Sequence, residues 1–148
     1  MDWDIVFSGA NLFAIVAWAA LILLPRWPAM LSALLYGVVG LLSLLYAGLF
    51  VGLVSGMIET GVEGGNFTSI DGVRTLFASD PGLTLGWIHY LAFDLFVGIW
   101  IARDADAKNI SRFVQAPILL ATFMAGPLGL LFWLIIREPA ARRTGRFH

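Results

Sequence analysis

His89 and Asp94 stand in the string Trp87-Ile88-His89-Tyr90-Leu91-Ala92-Phe93-Asp94, inside a run otherwise apolar enough to cross a membrane. An imidazole and a carboxylic acid are costly there, so both are functional candidates by default. Two titratable groups held in different protonation states, in a dry apolar cleft, are the equipment of general acid–base chemistry. At 1.5 Å per residue Asp94 lies about 16 Å along a helix from Leu83, near the middle of a hydrocarbon core about 30 Å thick, and His89 lies about 9 Å in. At 100° per residue the two are about 140° apart, so they share no face but can flank a ligand between helices. Tyr90, one turn before Asp94, is placed to orient its carboxyl. Trp87, Tyr90, Phe93, Phe96 and Trp100 would serve as lipid-facing or packing residues, or as walls for a long apolar ligand. Arg103 and Asp104 end the run, where an interfacial ion pair is the ordinary role and ligand contact the sharper one. The plainer alternative for His89 and Asp94 is helix-to-helix bonding, with Asn11, Tyr90 or Gln115 as partners.

Other chemistries lack residues. With no cysteine there is no thiolate ligand or nucleophile. The second histidine, His148, is far from the first, and His-x4-Asp is not a ligand spacing, so no metal site is expected. No glycine-rich phosphate loop, nucleophile elbow or haem-like histidine pair occurs, and no cofactor is expected. A net charge of −1 argues against nucleic acid as partner.

The elements that must position these residues follow from the hydropathy. A chain of 148 residues that is 59% hydrophobic and 13% charged, with a mean hydropathy of +0.86, has too little polar surface for a soluble domain. The apolar residues fall into four runs, at about 5–24, 29–57, 83–102 and 113–136. The expectation is an all-α, polytopic membrane protein: one integral domain over residues 1–148, four transmembrane helices, and a basic, disordered tail at 137–148. Met1-Asp2-Trp3-Asp4 lacks the basic region of a cleavable signal, so the first run reads as a retained span. Asp2 and Asp4 can cap it, and Pro25-Arg26-Trp27-Pro28 turns the chain into the second. Gly48, Gly52 and Gly56 put a small-xxx-small stripe on one face of that second run, suited to a close helix neighbour in this chain or to a homodimer.

The loop at 58–82 is acidic, and Ile70, Val73, Leu76 and Phe77 recur after Ser69 at the spacing of a short interfacial helix. Asp80-Pro81 reads as an N-cap followed by a first-turn proline. Gly126-Pro127 should kink the fourth run and free a backbone carbonyl. With four spans, both termini and the acidic loop share one side. The basic residues then divide five to four, which leaves orientation open.

The string from Trp87 to Asp94, then Arg103-Asp104, Pro117 and Thr122-Phe123-Met124-x-Gly126-Pro127-x-Gly129-Leu130, resembles the abscisic-acid-deficient-four-like family. Its plant members are plastid membrane proteins needed to make neoxanthin from violaxanthin. The resemblance implies a carotenoid (xanthophyll) isomerisation that needs no redox cofactor, an apolar polyene or lipid-like ligand, and membrane lipid as surroundings. A protonated Asp94 would be the acid and His89 the base. Trp87, Tyr90, Phe93, Arg103 and Asp104 would contact the ligand. No transit peptide is seen, and a multi-pass protein of a bacterial inner membrane is expected. The alternative is a non-catalytic scaffold that carries lipid or pigment to a separate enzyme.

Overall fold

A computed structural model describes residues 1–145 as helices and short connections, with no strand among them. His148 and Arg146 lie outside the described residues. The helices are α1 (Trp3–Leu23), α2 (Pro28–Val54), α3 (Ile70–Phe77), α4 (Asp80–Ala107), α5 (Arg112–Met124) and α6 (Gly126–Thr144). Residues Ala33–Val39 within α2 are wound as a π-helix. Three of the helices, α1, α2 and α4, are long and apolar enough to cross a membrane.

The local signals explain the boundaries. Asp2 Oδ1 accepts from the Ile5 amide at the start of α1. Ser69 Oγ accepts from Gly72 at the start of α3, the short helix expected there. Ser79, one residue before the expected Asp80, caps α4, because its hydroxyl reaches the Gly82 amide. α4 also runs further than expected, absorbing Arg103–Ala107 into its last turns.

Pairings along the bundle fix the direction of each helix. Trp87 Nε1 donates to Asn11 Oδ1 at 3.1 Å, and Arg26 reaches the Ala102 carbonyl at 3.4 Å; both pairs are 76 positions apart in the chain, so α1 and α4 run parallel. Tyr46 stands beside His89, while Leu35 and Ser32 share a groove with Ile99 and Arg103, so α2 runs antiparallel to both. Gly98 lets α1 close on α4, since a Cβ there would lie 2.3 Å from the Trp18 ring. Trp18, Leu21, Leu95, Ile99, Leu119 and Trp133 form the centre of the main core.

The fourth apolar run departs from expectation. It is two helices, broken at Ala125 (φ −156°, ψ 78°). α5 begins where Gln115 Nε2 donates to Asp106 Oδ1 at 3.0 Å, and its last carbonyls lie at Tyr90. α6 then returns, and Trp133 Nε1 donates to Asp104 Oδ2 at 3.1 Å. A continuous antiparallel helix would have carried Trp133 well past Asp94, toward the start of α4. α5 and α6 are therefore a hairpin that begins and ends beside the C-terminal end of α4. Each arm's apolar stretch is about 11 or 12 residues, roughly 17 Å and half a hydrocarbon core. Gly129 allows the arms to meet, as a Cβ there would sit 2.2 Å from Thr122 Oγ1.

The expected disordered tail is corrected with it. Residues from Arg137 to Thr144 continue α6, and Arg137 is buried. The glycine stripe on α2 is partly consumed within the chain. Gly52 packs under Ile58, whose Cδ1 would lie 2.6 Å from a Cβ, and Gly56 leaves the helix at φ +74°. Gly48 has nothing within 4 Å.

Candidate functional site

At one end of the bundle the segment from Ile58 to Phe77 folds over α2 and α4 and encloses a cavity of about 570 Å³. Such a volume suits a small-molecule site. Tyr46, Phe50, Leu53 and Val54 line it from one face of α2, Leu76 and Phe77 from α3, and Gly82, Leu85, Gly86 and His89 from α4. Gly86 is required by close approach, because a Cβ there would come 2.2 Å from Phe77 Cε1. The walls are mostly apolar. Tyr46, Thr60 and His89 are the side chains with polar groups among them.

The His89 ring stands 5.5 Å from that of Tyr46 and 4.6 Å from that of Phe93, centroid to centroid. Its imidazole makes no hydrogen bond among the described residues. Phe93, Phe96 and Trp100 continue an exposed stripe down α4 from His89.

Asp94 does not line this cavity. It is 9% exposed and lies against the break between α5 and α6. A Cβ on Gly126 would sit 2.0 Å from Asp94 Oδ1 and 2.8 Å from Oδ2, so only glycine lets the carboxyl rest on the start of α6. Little else there needs a partner: Pro127 has no amide proton, and the Leu128 and Gly129 amides bond to the Ala125 carbonyl. Tyr90 serves the other side of the break, its hydroxyl donating to the Phe123 and Met124 carbonyls at 3.4 and 3.2 Å. The expected freed carbonyl is thus present, and α4 supplies its donor. Asp94 Oδ2 is buried without a hydrogen-bond partner.

The remaining site candidates scatter. Trp87 packs toward α1, stacked on Phe7 and Tyr90 with its indole on Asn11. Asp104, at the far end, accepts from Lys108 Nζ at 2.7 Å and from Arg137 at 2.6 and 2.9 Å. Arg103, its neighbour, is exposed and lines a groove with Arg26 and Tyr36 instead. Arg26 bridges Asp106 at 3.1 Å and also bonds Gln115, tying the α1–α2 turn to α4 and α5. Burial pulls its guanidinium below the ordinary arginine range, against the raising effect of Asp106.

The structure therefore brings His89 alone of these residues to the cavity, with the exposed Phe93 ring against it, Trp87, Tyr90 and Asp94 to the α1 and hairpin contacts, and Arg103 and Asp104 to the opposite end. Sequence reasoning missed Tyr46 and Phe50, whose i, i+4 spacing along α2 was the available signal. It also missed Phe67, whereas Leu76 and Phe77 belong to the short helix expected across the mouth of the bundle. No group of three or more potential metal ligands occurs among the described residues.

A family model described as ABA DEFICIENT 4-like matches residues 5–133. No curated protein and no solved structure matches the chain.

Proposed function

Because the chain belongs to the ABA DEFICIENT 4-like family, we propose that it is a multi-pass membrane protein whose His89 cavity binds the end group of an apolar polyene and isomerises it. Family membership points to a function related to neoxanthin synthesis. The cavity accommodates the ring of an epoxy-carotenoid while the polyene chain stays along the exposed aromatic stripe of Phe93, Phe96 and Trp100.

The reaction moves one proton and no electrons to or from outside. A base takes the proton from the vinylic carbon next to the epoxide, and the C–H electron pair becomes the second double bond of an allene. The adjacent C–O bond breaks, and the oxygen takes a proton to become an alcohol. His89 is the base. Tyr46, on the adjoining α2 wall with its ring 5.5 Å from the imidazole, is the donor to the oxygen, and the proton taken by His89 returns to Tyr46. Asp94, expected from sequence as the acid, acts instead on the hairpin that packs against α4.

The observation that carries this reading is an imidazole with no hydrogen bond among the described residues on the wall of a mostly apolar cavity. A host that makes violaxanthin tests it: expression of the chain should yield neoxanthin, and His89→Ala at equal membrane abundance should not. Neoxanthin formed equally by both would overturn it. The scaffold alternative predicts that the purified protein binds violaxanthin and never turns it over.

A further inference from the structure

We infer that the His89 cavity takes its ligand from the membrane leaflet facing away from the cytoplasm. The ligand part rests on the proposed function above; the sidedness stands on geometry and charge alone.

The start of α1, the end of α2 and the start of α4 lie at one end of the bundle, and the cavity, roofed by α3 and its flanking loop, is at that end. Had the fourth apolar run crossed the membrane, Arg137, Arg142 and Arg143 would have joined Arg74 there. The hairpin instead returns them to the opposite end, where Arg137 bonds Asp104. Arg26, Arg103, Lys108 and Arg112 are already at that end. The described basic residues thus divide seven to one, while the cavity end carries Asp2, Asp4, Glu59, Glu63, Asp71 and Asp80. Lysine and arginine near span ends are retained on the cytoplasmic side, and acidic residues contribute little. So strong an asymmetry assigns the cavity end to the other side.

The half-depth hairpin is physically tenable because its break is shielded by protein. Non-helical backbone survives at membrane depth only where protein or a water-filled cavity satisfies it. Tyr90 donates to the open carbonyls, and Asp94 rests on Gly126.

The sequence has no cysteine, so single cysteines report position cleanly. Thr68→Cys, Ala107→Cys and Arg143→Cys would be expressed in a bacterial inner membrane and exposed to a membrane-impermeant maleimide. Thr68→Cys should label in right-side-out vesicles only, and the other two in inside-out vesicles only. Labelling of Arg143→Cys on the same side as Thr68→Cys would overturn the hairpin, and labelling of Thr68→Cys from the cytoplasmic face would overturn the sidedness. The unsubstituted chain gives a second measurement, since trypsin should cut at Arg142 and Arg143 in inside-out vesicles alone. Phe67→Cys, at the cavity wall, should be protected by violaxanthin in the same vesicles. Unprotected Phe67→Cys with the expected labelling of the other three would sink the ligand and leave the topology standing.

Discussion

Tyr90 and Asp94, one helical turn apart on α4, meet the two ends of a broken helix in opposite senses. The tyrosine hydroxyl gives its proton to the last carbonyls of α5, and the carboxyl lies against the first residue of α6. A helix end leaves donors or acceptors open, and hydrocarbon offers them nothing. The costly acid in mid-span thus gains a structural reason.

Gly126→Ala should be among the most damaging small substitutions. Its new methyl would meet the carboxyl at 2.0 Å. Overpacking of this kind costs about 1–3 kcal/mol. A clear fall in detergent unfolding temperature, with weakened packing of α6, is the expected result; wild-type stability would show that the carboxyl is free to move away.

Asp94→Asn keeps an acceptor of the same shape, whereas Asp94→Leu removes it. The leucine variant removes the acceptor of the Gly126 amide and should lose about 1–3 kcal/mol, the penalty of an unsatisfied buried amide. The asparagine variant should remain close to wild type in stability and still form product. Vanished product in a well-folded asparagine variant would return the carboxyl to the chemistry.

His89→Ala should lower turnover by about 10²–10⁴-fold, the usual yield of a general acid or base. Tyr46→Phe should lower it in the same range while leaving ligand affinity nearly unchanged, because it keeps the ring that lines the cavity. Product analysis beside immunoblotted membrane abundance separates loss of chemistry from loss of protein.

Arg103 and Asp104 are neighbours in sequence with opposite expected outcomes. Asp104→Ala would remove the carboxylate shared by Lys108 and Arg137, whose side chains are 0% and 8% exposed, and should cost about 3–5 kcal/mol. Arg103→Ala removes an exposed side chain and should stay within about 0.5 kcal/mol. Denaturant titration of the two variants side by side checks the contrast.

That α1, α2 and α4 are long and apolar enough to cross a membrane was legible because length and hydropathy are one-dimensional properties. So were the cap at Asp2, the short helix after Ser69 and the distortion at Gly126-Pro127. What followed that break was not. A run of 24 apolar residues describes one full crossing or two half-crossings equally well, and Tyr90 and Asp94, which make the second tenable, sit elsewhere in the chain. The angular separation of His89 from Asp94 was correctly read as forbidding a direct pair, and the two do face different neighbours. Their assignment to one cleft failed because angle alone does not say which helix stands opposite each face. The pairing of Tyr46 with His89 was hidden for the same reason, since the two stand on different helices, α2 and α4.

The hairpin also constrains biogenesis. Neither arm is long enough to be stopped in the bilayer by the insertion machinery as a span of its own, and the donor for its opened carbonyls belongs to α4. In the proposed topology the last apolar stretch must therefore fold against an α4 that is already seated, so a full-length variant whose α4 fails to insert should leave the C-terminal arm outside the lipid and open to proteolysis.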